Sequence, residues 1–556
     1  MVFAIRHFGR ADDIDGFGQL APDRAIGFNL YAHTGGEQLL AQRRDVLAQR
    51  FSAGDDDEIA HLRCVMKDSF DDFIERHILE FLEFSIAEIA GEVAAAKAHE
   101  HARLADIGPL ALQCREDLDD LERAAIPGFR GALGVFTEHV ACFGLGRYTT
   151  RPMPKPQDAE SIEKHRESGL ETKLVHGGAL RSQYGEVSEA SFLNSGFCYD
   201  DAETAEKRFN GEEPGFVYSR YRNPTLAMLE DRLALLEGAE SCIAVASGMA
   251  AVFASLMGIL KSGDRVLANR VLFGSCHYII NEVLPRFGIT TELVDGDDLK
   301  AWEKALATPT QAIFIESPAN PTLQLTDIAA VCKLAKNNGA TVIVDNIFAT
   351  PVFQRPLELG ADMVVYSTTK YFDGQGRTLG GAILGSKQLL EEKILPFHRH
   401  TGPALSPFNA WVALKGLETL PLRMERHASN ALAVAQVIEK HKAIAAVYYP
   451  GLKSFPQYAL AQRQMSGAGG LVAFTLKGGK AAAFKFLNAL NIIAISNNLG
   501  DAKSLATHPA TTTHSNMTAE ARAAIGITDG TLRLSVGLES IADLLKDVGK
   551  ALDAAA

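Results

Sequence analysis

The sequence predicts an α/β protein: a large domain on a mostly parallel sheet, a smaller α+β lobe after it, and a partly helical extension in front. Three observations carry that expectation. From about Ser241 short apolar runs alternate with amphipathic helical stretches, and a second set of strand-like runs follows a long helical stretch from Ser406. In addition, the run Arg151-Pro-Met-Pro-Lys-Pro156 places prolines at alternate positions and sets off everything before it.

Residues 1–155 are read as this extension plus its linker. Proline can neither continue a helix nor pair inside a sheet, so the linker is extended. Glu58 to Ala105 is rich in Ala, Glu, Leu and Ile with Gly91 as its one glycine, which predicts helix. His99 and His101 lie two apart and point to different sides of such a helix. The acidic run Asp55–Glu58 lacks the spacing of a calcium loop, and Phe17, Phe28, Phe73, Phe81, Phe84 and Phe129 read as core. A chain starting at Met153 would have 404 residues (556 − 153 + 1). The extension is therefore read either as an appended helical interaction domain or as the product of an upstream start.

Residues 156–405 hold an arm and the large domain. The arm, Glu160 to Gly215, is polar and irregular. The strand candidates are CIAVA, RVLA, TTELV, AIFIE, TVIVD, DMVVY and GGAILG, spaced by helical stretches, as in a parallel sheet covered on both faces. Ser241 to Leu260 carries no charge and is long enough to span a bilayer, but Ser247-Gly248 breaks it into a strand, a turn and a helix. Residues 406–556 form the smaller lobe, with strands AAVYY, GLVAFTL, IIAIS and TLRLSVG.

Composition narrows the function. Apolar residues at 47% and charged residues at 22% suit a soluble globular protein. The net charge of -13, from 68 acidic and 55 basic side chains, has no basic segment to offset it, so nucleic acid is not an expected partner. Seven scattered cysteines without a CxxC pair predict a reducing compartment, the cytoplasm, and no metal site. Charged residues interrupt the first twenty positions, which excludes a signal peptide's apolar core there.

Three local features carry chemistry. In ADMVVYSTTKYFDGQGR a buried strand runs into hydroxyl residues and Lys370. That arrangement suits a Schiff-base lysine at the carboxyl edge of a sheet, although a solvated loop lysine has the same local look. Asp345 closes the preceding strand, where a carboxylate can meet a protonated pyridine nitrogen or simply cap a turn. Ala246-Ser247-Gly248-Met249 joins strand to helix, and backbone N–H groups there can cradle a phosphate.

Together these features resemble the Cys/Met-metabolism pyridoxal-phosphate (PLP) enzymes, the cystathionine γ-synthase family. YSRYRNPT at 218–225, ASGM at 246–249, ESPANP at 316–321, VDN at 344–346, YSTTKY at 366–371 and RLSVGLES at 533–540 fall in the family's order. The resemblance implies a fold-type I, aminotransferase-like transferase that works as a homo-oligomer, at least a dimer and usually a tetramer. It makes Lys370 the Schiff-base lysine and Asp345 the pyridinium partner. Ser247, Gly248, Met249, Ser367 and Thr369 become phosphate ligands. Tyr218 and Arg220 are the pair that reaches a neighbouring subunit's cofactor, Tyr218 being also a candidate acid, and Arg533, helped by Asn320 and Ser496, anchors the substrate α-carboxylate.

The resemblance has departures. Phe273 stands where many members carry a tyrosine over the ring, so it can stack but cannot act as an acid. Ser275 replaces the reactive cysteine of methionine-degrading lyases. TKYFDGQGRTLGG and the stretch 495–514 are instead similar to the O-succinylhomoserine-using sulfhydrylases of the family, with Arg377 a candidate cation for the succinyl group or a member of a surface ion pair. The implied reaction makes homocysteine from O-succinylhomoserine and sulfide in methionine biosynthesis, within trans-sulfuration chemistry. Alternatives are cystathionine γ-synthase, O-acetylhomoserine sulfhydrylase, a γ-lyase, or a PLP-binding protein without turnover.

Overall fold

Two sheets organise the chain, and the larger follows the predicted alternation strand for strand. The computed structural model describes residues 165–556, together with two short strands, Val2–Ala4 and Asn29–Tyr31, that pair antiparallel. The chain divides into units Met1–Pro152 and Met153–Ala556. The helix expected over 58–105, the acidic run 55–58, His99, His101 and the six extension phenylalanines lie outside the described residues.

The large sheet comprises β1 (Ser241–Val245), β2 (Arg265–Asn269), β3 (Thr290–Val294), β4 (Ala312–Glu316), β5 (Thr341–Asp345), β6 (Met363–Tyr366) and β7 (Gly381–Gly385). Their spatial order is β1-β7-β6-β5-β4-β2-β3. Only the pairings of β7 are antiparallel; the rest of the sheet runs parallel. Strands such as AIFIE are buried at every position, because a parallel sheet is covered on both faces and has no solvent side to favour polar residues.

Helix ends follow local chemistry. Helix α1 (Pro224–Glu237) starts where the Asn223 side chain accepts the Thr225 N–H, carries proline in its first turn, and stops at Gly238 with φ 82°. Helix α2 (Gly248–Met257) is capped by Ser247, whose hydroxyl accepts the Ala250 N–H at 3.1 Å. The apolar Ser241–Leu260 stretch is thus β1, a turn and α2, and no helix among the described residues is long and apolar enough to cross a membrane.

After α3 (Pro407–Leu417) and α4 (Leu420–Lys440), the small lobe has β8 (Ile444–Tyr448), β9 (Leu471–Leu476), β10 (Ala494–Ile495), β11 (Leu505–Thr507) and β12 (Thr531–Ser535), ordered β8-β9-β12-β11-β10. Strand β11 is an addition to the predicted set. Helix α5 (Ile541–Ala555) buries Leu544, Val548, Ala551 and Leu552 in a core shared with Phe474, Phe486 and Leu534. The arm is less irregular than its composition predicts: it includes helices Leu170–His176 and Ala202–Asn210. It is fastened by the fully buried Arg232 of α1, whose Nη2 meets Glu189 Oε1 at 2.5 Å while Lys415 holds the other oxygen at 3.0 Å.

Candidate active site

The carboxyl ends of β4, β5 and β6 lie side by side, and each delivers a functional group. In the β4–β5 register Glu316 is paired with Asp345, and in β5–β6 Asp345 is paired with Val365, five residues before Lys370. The two residues singled out at successive strand ends therefore stand at one edge of the sheet, where open α/β folds bind ligands.

Lys370 is largely buried. Its Nζ donates to Asn498 Oδ1 at 2.5 Å. Burial, helped by the charge of Arg533, lowers its amine from 10.5 to about 8. An amine near neutrality in its ionisation can be a nucleophile and a base in turn.

Asp345 is 5% exposed, and burial pushes its carboxyl up from 3.8 to about 7, against one N–H from Ile347 at 3.0 Å. Glu316 is also buried and is raised well above its usual range by desolvation and by Asp345. Cys276 Sγ and carboxylate oxygens of Glu316 and Asp345 lie within 4.8 Å of one another. Burial raises the Cys276 thiol as well. Against that desolvation, the Phe273 and Asn320 N–H groups and the charge of Arg533 favour the ionised form of Glu316. A single incoming cation, such as a protonated ring nitrogen, relieves the desolvation of Asp345.

Farther along this edge, the first residue of α2, Gly248, lies against Ser367. A Cβ built on Gly248 would lie 2.6 Å from the Ser367 Cβ, so only glycine lets the turn close there. The Ser367 and Thr369 hydroxyls lie against the Gly380 carbonyl at 3.5 and 3.3 Å, and Thr369 Oγ1 accepts the Gly380 N–H at 3.1 Å. The Ser247 hydroxyl caps α2. Gly248→Ala is expected to lower the affinity of the apo-protein for pyridoxal phosphate roughly tenfold or more, read by absorbance titration. Unchanged affinity would remove this turn from the phosphate site.

Arg533, on β12 and 2% exposed, crosses from the small lobe. Its Nη1 donates to Asn320 Oδ1 at 2.8 Å and its Nη2 to the Asn497 and Asn498 carbonyls at 2.9 and 3.3 Å, while Nε has no partner. Burial lowers it to about 10, which leaves it a cation at neutral pH. Ser496 orders the same loop, its hydroxyl accepting the Asn498 N–H at 3.3 Å.

Three sequence-stated positions behave differently from the group around Lys370. Arg377 is not a free cation: its Nε meets Asp373 Oδ1 at 2.8 Å and its backbone N–H donates to Oδ2 at 2.6 Å. Asp373 is fully buried, so Arg377 is held by a carboxylate that needs a counter-charge. Tyr218 is 43% exposed. Arg220 lies over the Tyr218 and Tyr221 rings at 5.5 and 4.9 Å and donates to the Arg399 carbonyl. Neither residue is hydrogen-bonded to the Lys370 group within this chain.

Asn498, Glu316 and Cys276 were missed as site residues, although the first two sit inside the stretch 495–514 and the ESPANP segment. Phe273 is half-buried and its backbone N–H donates to Glu316 Oε2 at 2.7 Å, which ties its loop to the same edge.

These residues fit pyridoxal phosphate: a glycine-floored helix start for the phosphate, a buried carboxylate for the ring nitrogen and an amine of lowered pKa for the aldehyde. The comparisons agree. An O-succinylhomoserine sulfhydrylase of Mycobacterium tuberculosis is 54% identical over 382 residues, 68% of this chain and 94% of that protein. One of Pseudomonas aeruginosa is 46% identical over 403 residues, 72% of this chain and 100% of that protein. A Campylobacter jejuni structure, described as an O-acetylhomoserine (thiol)-lyase with a pyridoxyl-lysine monophosphate, superposes with a TM-score of 0.67 at 35% identity, covering 69% of this chain and 100% of that one. The model of one family matches residues 171–553, which include every residue of the group around Lys370. With that span, and with the lysine, carboxylate and helix start in place, the chain belongs to the Cys/Met metabolism PLP-dependent enzyme family.

Proposed function

We propose that the chain catalyses γ-replacement on O-succinyl-L-homoserine with sulfide, releasing succinate and forming L-homocysteine for methionine biosynthesis. The observation that carries this reading is the 54% identity, over nearly the whole of the relative, to an O-succinylhomoserine sulfhydrylase. Phe273 and Ser275 support it against a γ-lyase, since neither supplies the phenol or the thiol expected of the methionine-degrading members.

Bound at this site, pyridoxal phosphate supplies an electron sink for charge developing at the substrate's Cα and Cβ. The chain's own residues do the rest. Asp345 holds the proton of the ring nitrogen, which keeps the sink effective. Ser247, Gly248, Met249, Ser367 and Thr369 hold the phosphate. Arg533, with Asn320 and Ser496 behind it, would take the substrate α-carboxylate and so orient Cα. Lys370, as a free amine, would move the proton between carbons. Its neutral form increases as pH rises, so on the acid side turnover is expected to climb with pH through about 8. A profile flat from pH 6 to 9 would take that proton from Lys370.

Tyr218 and Arg220 are proposed to serve the cofactor of a neighbouring subunit, Tyr218 doubling with Lys370 as a candidate acid for the leaving group. The active protein is then a homo-oligomer, at least a dimer and by family habit a tetramer, working in the cytoplasm. The test is a replacement assay that compares succinyl and acetyl esters of homoserine, each with sulfide or cysteine. Homocysteine formed fastest from the succinyl ester and sulfide is expected. Cystathionine as the main product would move the protein to cystathionine γ-synthase activity, and preference for the acetyl ester to the acetylhomoserine branch.

A further inference from the structure

Glu316 has no role in the site as described so far, yet it is the most heavily engaged buried carboxylate there. It is 3% exposed and sits beside a second buried carboxylate, Asp345. A buried carboxyl group next to another is costly, so a position that needed only a neutral turn-holder would favour glutamine. What Glu316 does there is accept two hydrogen bonds. Oε2 takes the Phe273 N–H at 2.7 Å, and Oε1 takes the Asn320 N–H at 2.8 Å. A carboxylate accepts on both oxygens, whereas a glutamine presents one acceptor and one donor and can satisfy only one of two converging N–H groups.

The two loops held in this way carry different parts of the chemistry. Phe273 is the aromatic residue that would stack on the cofactor ring. Asn320 passes its side-chain oxygen to Arg533 Nη1 at 2.8 Å. Charge follows the same line, since Glu316 favours the cationic form of the buried Arg533 without contacting it. A counter-charge set one residue behind the guanidinium offsets part of its burial, while Arg533 Nε is left without a partner. The backbone of Glu316 is fixed as firmly, its N–H donating to Asn269 Oδ1 and its carbonyl accepting from Asn269 Nδ2, both at 3.0 Å.

We propose that Glu316 is a positioning residue of the reaction: one carboxylate ties the Phe273 loop to the Asn320 loop and so sets both the aromatic wall of the cofactor and the aim of Arg533. The inference rests on Arg533 being the anchor for the substrate carboxylate.

The test compares three forms of the PLP-loaded enzyme: wild type, Glu316→Gln and Arg533→Leu. Glu316→Gln nearly preserves shape and loses one of the two N–H acceptors. Losing one hydrogen bond of a charged acceptor is expected to raise KM for the amino-acid substrate roughly tenfold or more, with a smaller change in kcat. The visible circular dichroism of the bound cofactor, which reads the asymmetry of its wall, is expected to weaken. Glu316→Asp, with a carboxylate too short to reach both loops, should not restore either readout. If Glu316→Gln keeps both KM and the visible dichroism of the wild type, whatever its Tm, the proposal is overturned. If Arg533→Leu also leaves KM unchanged, the anchor assignment fails as well; a raised KM in Arg533→Leu alone confines the failure to Glu316.

Discussion

Lys370→Ala is expected to lower turnover by at least about 10³-fold and to remove the visible absorbance of the lysine-bound cofactor. Two functions are lost together. Alanine has no amine to hold the cofactor between turnovers and none to move the Cα proton. The residue's surroundings are arranged around that amine: burial and Arg533 lower it to about 8, and Asn498 fixes its direction at 2.5 Å. Folding should be little affected, because the side chain makes no ion pair and a buried cation is removed rather than stranded. Measured kcat together with the absorbance spectrum checks the expectation, and a yellow, active variant would contradict it.

The second large effect belongs to Asp345. Asp345→Asn keeps the volume and the acceptor that takes the Ile347 N–H, but it cannot carry the charge that holds a proton on the ring nitrogen. A loss of roughly 10²-fold or more in kcat is expected, with weaker cofactor retention in dialysis. Wild-type affinity should also depend on pH. The Asp345 carboxyl, raised to about 7 by burial, is protonated below that value in the empty site and ionised above it. Relative to Asp345→Asn, whose residue 345 does not titrate, wild-type affinity for the cofactor should therefore fall as pH drops through about 7. A constant ratio of the two affinities between pH 5.5 and 8.5 would place the ring nitrogen elsewhere.

Much of this was legible because the fold writes its buried elements plainly. Parallel strands covered on both faces, such as AIFIE and TVIVD, have no polar alternation to blur them. Asp345 and Lys370 could be paired on paper because each follows one of two successive strands, and adjacent strands put their ends together. Helix α2 was visible from Ser247-Gly248 at its start. What escaped had no such local signal. Strand β11 has only three residues, Leu505–Thr507, and is defined by its partners β10 and β12. The helix Ala202–Asn210 buries no residue and is polar in composition, so it reads as part of the arm despite its Asp201 cap and Gly211 stop.

Within the site, the long-range partners were the unreadable part. Asn498 meets Lys370 across 128 residues, and Arg533 meets Asn320 across 213. Arg377 shows the opposite case. Its partner Asp373 is only four residues away, but nothing local shows that Asp373 is fully buried and therefore needs the arginine's charge. Sequence could name both the cation and the ion-pair alternative, and the structure shows the ion pair. Tyr218 and Arg220 are a third kind, since the chemistry assigned to them belongs to an assembly of chains.

The most direct measurement of the central claim is chemical trapping of the cofactor. The PLP-loaded protein is reduced with borohydride, digested, and its pyridoxyl-bearing peptides are identified by mass spectrometry. The site described above requires one labelled position, Lys370, in the peptide that follows strand β6. Label on another lysine, or none in a protein that still turns over substrate, would contradict it.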